Sequence, residues 1–324
     1  DLDAMGIGRN ENSGGGRWNF DGLIEDVRVY NTALSVTDMA ALAAEAPVAY
    51  NDTATTTKNT AVNINLTSND TDLDSETISV LDVGNPTNGT VVNNDDGTAT
   101  YTPGSNYTGT DSFTYLAADL DDTVSYWRLD GNGTDAVGSN DGTLTGTTSV
   151  TGVYGDALSF DEVDDKVVVS DFAFGNEFSV SFRFKVDDNN GSGYQYLYSH
   201  GALGVPNSLN ILIGEDSVGT TSDRNLLITR LHDSNDSTAA GSLELDVSHL
   251  IGDGQWHTYT LTVASGGGSR MYIDGVQQAT DTYGGDSFNP TTDVYLGTRE
   301  DLESTRFYGG SLDSVQVFNR ALSA

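Results

Sequence analysis

The chain has 324 residues, 48 acidic against 14 basic side chains, and a formal net charge of −34. A surface of this charge repels nucleic acid and anionic lipid, which speaks against both as partners. The sequence contains no cysteine, so stability must come from hydrophobic cores, calcium or repetition rather than from disulfides. No run of about 18 apolar residues occurs either, so we expect no direct membrane insertion in this segment.

Two similar sequences lie near the two ends of the chain. LIEDVRVYNTALS starts at residue 23, and SLDSVQVFNRALS starts at residue 311. Such self-similarity is typical of repeat proteins. We therefore expect residues 1–46 to be the C-terminal strands and tail of an upstream domain of the same kind as the one that ends this chain. On this interpretation the partners are neighbouring copies or repeats of the same protein, in a fibre or a tandem array.

The next segment, residues 47–120, follows an Ala-rich stretch that Pro47 ends. It contains short alternating runs such as AVNINL, TISVLDV and TATYTP, separated by turn sequences such as NNDDG. Six or seven short strands at this spacing predict an immunoglobulin-like β-sandwich.

The longest segment, residues 121–324, contains a dozen or more predicted strands with Gly and Asp at the turns. Aromatic residues alternate with polar ones in SVSFRFKV and WHTYTLTV, so one face of each strand is expected to be buried. That many strands need two stacked sheets, and the jelly roll is the natural architecture at this size. The chain as a whole is predicted to be all-β.

Ordered motifs connect both segments to known families. The run SYWRLDGNGTDAVGSNDGTLTG, ALSFDEVDDKVVV, FSVSFRFKV, GQWHTYTLTV, MYIDGVQQA and FYGGSLDSVQVFNRALS resembles the laminin-G-like, concanavalin-A-like jelly-roll family of bacterial surface and secreted proteins. Residues 1–36 resemble only the last strands of such a domain. The middle segment, with NDTDLDSETISV, NGTVVNNDDGTATYTP and YTGTDSFTY, resembles the cadherin-like immunoglobulin repeats of large bacterial adhesins.

This resemblance implies a non-enzymatic structural or adhesive repeat of a large secreted or cell-surface protein or extracellular fibre, stiffened by calcium. Jelly rolls of this kind are also attached to glycosidases, so the alternative is a carbohydrate-binding module of a secreted multidomain protein. Glycans or cell-surface ligands are then further expected partners. The four histidines are scattered without metalloprotease spacing and no GxSxG motif occurs, so no catalytic site is predicted.

The sharpest candidate for calcium is the acidic sequence SNDTDLDSE. Alternate carboxylates in an extended chain project to one side and repel one another unless a cation lies among them, and calcium accepts a flexible set of 6 to 8 oxygen ligands. The alternative is a solvated acidic turn in a chain that is acidic throughout. The predicted ligands are Asp70, Asp72, Asp74 and Glu76, with Asn51 and Asp52 from the domain entrance.

A second calcium site is implied by the jelly-roll resemblance, since such domains often tie their opening loop to their closing strand through this ion. Here that would pair Asp130 or Asp135 with Asp313. A further acidic group is FDEVDDK, residues 160–166. Ordinary Asp-Gly turn chemistry explains these residues equally well. For sugar stacking the candidates are the aromatic side chains Tyr194, Tyr196, Tyr283 and Phe288, although most aromatic residues at strand spacing belong to the core.

Overall fold

The computed structural model describes most of the chain from Pro47 to Leu322 and two short segments before it. Every regular element in the described residues is a β-strand, as the composition and periodicity predicted. None of these residues forms a helix that is long and apolar enough to cross a membrane. The described residues are 9–11, 17–19, 47–72, 77–118, 120, 122–172, 175–187, 194–201, 207–214, 225–232, 241–283, 288, 290 and 292–322.

The N-terminal segment contributes one antiparallel strand pair, β1 (Arg9–Glu11) and β2 (Arg17–Asn19). The first of the two repeated sequences, residues 23–35, lies outside the described residues. The assignment of residues 1–46 to an upstream jelly roll therefore stays a prediction.

The middle segment forms a small sandwich. One sheet has the order β3-β6-β5, and the other pairs β4 with β7, all antiparallel. Its core is small, with Leu66, Val80, Val83 and Ala99 buried between the sheets. The strands are β3 (Val62–Asn65), β4 (Ser79–Val83), β5 (Gly89–Asn93), β6 (Thr98–Pro103) and β7 (Tyr115–Ala118).

The C-terminal segment forms two large sheets. An eight-stranded sheet has the order β10-β11-β22-β13-β18-β19-β20, with β8 also paired to the long strand β22. A seven-stranded sheet has the order β17-β16-β15-β14-β21-β12-β9. The strands are β8 (Thr123–Trp127), β9 (Gly142–Thr145), β10 (Thr148–Thr151), β11 (Asp156–Asp161), β12 (Lys166–Val169), β13 (Phe178–Val186), β14 (Gln195–His200), β15 (Ser208–Gly214), β16 (Leu226–His232), β17 (Gly241–Asp246), β18 (His257–Ala264), β19 (Gly268–Ile273), β20 (Val276–Asp281), β21 (Val294–Leu296) and β22 (Gly309–Phe318).

The main core lies between these two sheets and follows directly from the alternation of the strands. In β13 every second residue faces inward, so Phe182 and Phe184 are buried while Arg183 faces the other side. Phe182 stacks on Tyr259 of β18, with their ring centroids 4.9 Å apart. Each large apolar side chain buried in this way contributes about 1.5–3 kcal/mol.

Candidate functional site

The predicted calcium ligands at the domain entrance come together where the chain enters the small sandwich. Val48 and Thr71 form an isolated antiparallel bridge, which places the entering segment beside the acidic sequence. The Asn69 side chain then donates to the carbonyl of Asn51, at 3.2 Å. The structure therefore brings the entrance and the acidic turn side by side.

We define the entrance cluster as Asn51, Asp52, Asp70 and Asp72. Its three carboxylates are partly buried, and Asn51 is exposed. Burial and the charge of Asp70 together raise the pKa of Asp52, and the Asp52 Oδ2 atom is buried without a hydrogen-bond partner. Asp70 accepts hydrogen bonds from the Tyr115 hydroxyl at 3.0 Å and from the Tyr50 amide at 2.7 Å. A buried carboxylate oxygen without a donor is an available ligand for a cation.

Two of the predicted ligands of this cluster, Asp74 and Glu76, lie outside the described residues. Asp72 is half-buried in the described part and has interactions of its own. Asp52 and Asp70 are therefore the carboxylates whose surroundings define the described part of this cluster.

A second acidic group lies in the turn after β11. Asp161, Asp164 and Asp165 each present a carboxylate oxygen, and these oxygens all lie within 4.8 Å of one another. Burial, followed by the charge of Asp161, raises the pKa of Asp165. Asp161 also accepts the amides of Val163 and Asp164, which folds the turn back on itself. We call this group the turn triad.

Asp130 and Asp313 are the residues predicted to tie the opening loop to the closing strand. Both carboxylates bind backbone amides at the connection between β10 and β11. Residues 152–155 join β10 to β11 and are named the clasp loop. The Asp313 carboxylate accepts the Val153 amide at 2.8 Å, and Asp130 accepts the Asp156 amide at 2.6 Å. Burial raises the pKa of Asp130 to about 6 and that of Asp313 to about 7, and the charge of Asp82 adds to both shifts.

Asp135 has a different environment. Its Oδ1 accepts the amides of Tyr126 and Val137, and its Oδ2 accepts the amide of Asn140. With both oxygens engaged by backbone donors, it organises its own loop. The structure thus brings Asp130 and Asp313 to one loop and gives Asp135 separate partners.

The aromatic candidates for sugar stacking are mostly buried. Phe288 is 1% exposed and stacks on Phe178 in the main core, and Tyr283 is 9% exposed in the same core. Tyr196 is fully buried, and its ring lies under the guanidinium of Arg299. Three of the four candidates therefore cannot present a ring face to a sugar, because strand spacing placed them inside the protein; Tyr194 is half-buried.

A cleft of about 180 Å³ between the small sandwich and the large one was not predicted from the sequence. Its side from the small sandwich is apolar, and its side from the eight-stranded sheet is rich in hydroxyl, amide and guanidinium groups. No local sequence signal marks it, because most of its lining comes from strands far apart in the chain, such as β4, β13 and β22. The lining residues are Leu81, Leu116, Ala118, Thr123, Ser181, Phe182, Arg183, Thr258, Ser314, Gln316 and Phe318.

Two large antiparallel sheets packed face to face, preceded by a small five-stranded sandwich, define the class: an all-β protein with a concanavalin-A-like jelly roll after an immunoglobulin-like domain. Comparison with family models gives the same result. Residues 44–126 match a bacterial Ig domain, and residues 160–324 match the family described as the Concanavalin A-like lectin/glucanases superfamily, of laminin-G type. The chain belongs to this superfamily, which confirms the predicted combination of domains.

Solved structures with a similar fold are distant. Domain 4 of an extracellular arabinanase from Geobacillus stearothermophilus, solved with arabinotriose, is 18% identical with a TM-score of 0.45, covering 62% of this chain and 94% of its own. The ligand binding domain of botulinum neurotoxin serotype D, solved with N-acetylneuraminic acid, is 17% identical with a TM-score of 0.49, covering 63% and 48%. The binding domain of Paraclostridial Mosquitocidal Protein 1 is 14% identical with a TM-score of 0.48, covering 63% and 50%.

The alignment spans about half the length of the toxin binding domains. Similarities of this size do not indicate what the present chain binds. No relative among curated proteins matches the sequence.

Proposed function

We propose that this chain is a non-enzymatic structural and adhesive segment of a large secreted or cell-surface protein, stiffened by calcium where one domain enters the next. The family assignment supports an extracellular setting, because immunoglobulin-like and laminin-G-like domains are typical of extracellular proteins. The net charge of −34 supports it as well, since a strongly anionic chain remains soluble in salt and offers many oxygen ligands.

The observation that carries the proposal is the buried Asp52 Oδ2 atom without a hydrogen-bond partner, beside Asp70. Two neighbouring carboxylates that are partly shielded from water repel each other. A cation between them removes the repulsion and supplies the missing partner of Asp52 Oδ2. Because these residues lie on either side of the Val48–Thr71 bridge, bound calcium would hold the entering segment against the domain. The turn triad has three converging carboxylates, with a neighbouring cation, Lys166, beside Asp165, and it is proposed as a second calcium centre in the jelly roll.

Thermal unfolding with and without calcium tests this function. Calcium at about 100 times its Kd should stabilise each folded site by about 2.7 kcal/mol and raise the melting temperature by several degrees, and magnesium should do so less. Asp52→Asn should abolish the calcium-dependent stabilisation of the small sandwich. Asp161→Asn should abolish the calcium-dependent stabilisation of the jelly roll. The matched control is Asp187→Asn, which changes an exposed carboxylate outside both clusters. An unchanged melting temperature in calcium would contradict the proposal.

Carbohydrate binding is the second candidate, and the interdomain cleft favours it. A sugar ring has apolar C–H faces and a polar edge, and the cleft offers Leu81 and Leu116 on one side against Arg183 and Gln316 on the other. An apolar cavity of about 150 Å³ holds a benzene molecule, so this cleft has room for part of one sugar ring. Screening the full chain on a glycan array, beside Gln316→Ala, should show binding that the variant loses. Absence of any bound glycan would refute this candidate and leave the calcium proposal intact.

A further inference from the structure

Several polar side chains between the two domains are as deeply buried as a protein core. Asp82 of the small sandwich is 2% exposed, Tyr126 of β8 is fully buried, and Ser314 of β22 is 4% exposed. The Tyr126 hydroxyl lies 3.1 Å from Asp82 Oδ2, to which it donates, and 3.4 Å from Ser314 Oγ. Polar groups are buried this completely where they have fixed partners, since an unpaired one costs several kcal/mol.

Arg128 forms a second contact between the domains, at the end of β8. Its Nε donates to the carbonyl of Leu81 at 2.5 Å, and its Nη2 pairs with Asp95 Oδ1 at 2.6 Å. Leu81 lies in β4, whereas Asp95 lies in the turn between β5 and β6. One guanidinium therefore connects the jelly roll to both sheets of the small sandwich, and its planar shape fixes the direction of both bonds.

The clasp loop forms a third contact. The Gly155 amide donates to the carbonyl of Val83 at 3.1 Å, and the Asn85 side chain donates to the carbonyl of Gly155 at 2.9 Å. The loop is itself anchored to the jelly roll by Asp130 and Asp313, as described above. The clasp loop therefore links the jelly roll to the end of β4 by hydrogen bonds.

The connection between the domains is short. β7 ends at Ala118 and β8 begins at Thr123, whose amide already bonds to the carbonyl of Leu120 at 3.0 Å. A tether of this length keeps the two surfaces close, so the entropic cost of docking is small. The hydrogen bonds of the three contacts do not involve the entrance cluster, Asn51, Asp52, Asp70 and Asp72.

We propose that the outer face of the eight-stranded sheet, together with the clasp loop, is a docking surface for the immunoglobulin-like domain that precedes it, and that the two domains form one rigid body without calcium. The partners Leu81, Asp82 and Val83 follow one another along β4, and the Arg128–Asp95 ion pair lies off that strand, so together they fix both the distance and the orientation of the pair. In a repeating array the joints would then alternate, one held by protein contacts and the next by calcium. This inference goes beyond the proposed function and does not depend on the ion.

Distance measurement between paired spin labels tests the proposal on the full chain in a calcium chelator. The protein has no cysteine, so Val92→Cys in β5 and Val276→Cys in β20 accept labels without background. Both positions are exposed, at 59% and 62%. One narrow distance distribution is expected. A broad distribution in chelator would overturn the proposal, whether or not calcium narrows it.

Substitutions at the interface identify the contacts that hold the joint. Arg128→Ala combined with Asn85→Ala removes both bonds of the guanidinium and the side-chain bond to the clasp loop, leaving the backbone bond from Gly155 to Val83, and should broaden the distribution. The matched control is Arg306→Ala with Asn63→Ala, whose hydrogen bonds go to Glu303 and Thr98 within their own domains, and it should leave the distribution narrow. Equal distributions in the two double variants would overturn the assignment of these contacts.

Two further measurements keep the result interpretable. The single variant Asn85→Ala changes an exposed side chain, so it tests the clasp loop even where the double variant unfolds. The calcium titration of the melting temperature is separate, because failure of calcium stiffening would leave the distances in chelator narrow. Failure of the rigid joint would leave the calcium shift in place.

Discussion

The ionisation of Asp313 gives the most direct test of the electrostatics at the clasp loop. Its side chain is fully buried in β22, with the Val153 amide on Oδ2 and the Ser314 hydroxyl on Oδ1. Burial raises its pKa from 3.8 to about 7, with the charge of Asp82 acting in the same direction. The perturbation is Asp313→Asn, whose amide oxygen can accept from Val153 while its nitrogen donates to Ser314.

The sign follows from the direction of the shift. The folded chain keeps the Asp313 proton in a pH range where the unfolded chain releases it, so this group stabilises the fold below about pH 4 and the contribution is lost as the pH rises toward 7. A pKa raised from 3.8 to about 7 corresponds to about 4 kcal/mol of differential stability. The Asp313→Asn variant resembles the protonated acid, so its stability lacks the pH dependence that Asp313 causes.

Urea unfolding of the wild type and of Asp313→Asn, in chelator from pH 4 to pH 8, provides the assay. The free energy of unfolding of the variant minus that of the wild type should rise by up to about 4 kcal/mol between pH 4 and pH 8. The exposed Asp187→Asn variant should follow the wild type at every pH. If the difference between Asp313→Asn and the wild type stays constant with pH, the reasoning is refuted.

Three further predictions concern the jelly roll. Replacing Phe182 by alanine removes a ring from the main core and should lower the free energy of unfolding by about 3–5 kcal/mol in urea titrations. Trp127→Phe leaves the carbonyl of Asn140 without the indole N–H that lies 2.7 Å away, and should cost about 1–3 kcal/mol by the same measurement. Burial lowers the pKa of His257, but its hydrogen bonds to Asp274 and Asp253 outweigh this and raise it; Asp274→Asn should therefore lower the imidazole pKa measured by NMR, and an unchanged value would contradict this balance.

Most of the strand content could be predicted from the sequence, because a buried strand needs an apolar residue at every second position. FSVSFRFKV shows this pattern, and in the fold it is β13 at the centre of the eight-stranded sheet. The same reasoning failed for Tyr196 and Phe288, which were candidates for sugar binding. Alternation shows that a side chain faces one side of a strand, but not whether that side is covered by a second layer.

The calcium candidates were predictable only in part. Acidic residues two apart in SNDTDLDSE, with Asn51 and Asp52 at the domain entrance, suggested one shared site, and the Val48–Thr71 bridge places Asp52 near Asp70. FDEVDDK was recognised as an acidic group, but the convergence of its three carboxylates depends on how the turn after β11 folds back. In a chain with 48 carboxylates, composition cannot select which ones share a site.

The sequence by itself determined the class of this protein: an all-β chain in which an immunoglobulin-like domain precedes a concanavalin-A-like jelly roll. Period-two alternation, turn residues and ordered motifs are local properties, and they are sufficient for that conclusion. Only the tertiary structure decided that Asp82 is buried beneath Tyr126, and that the clasp loop reaches Val83. These contacts join residues far apart in the chain, and their free energy depends on the shape and polarity of two assembled surfaces, which no single segment encodes.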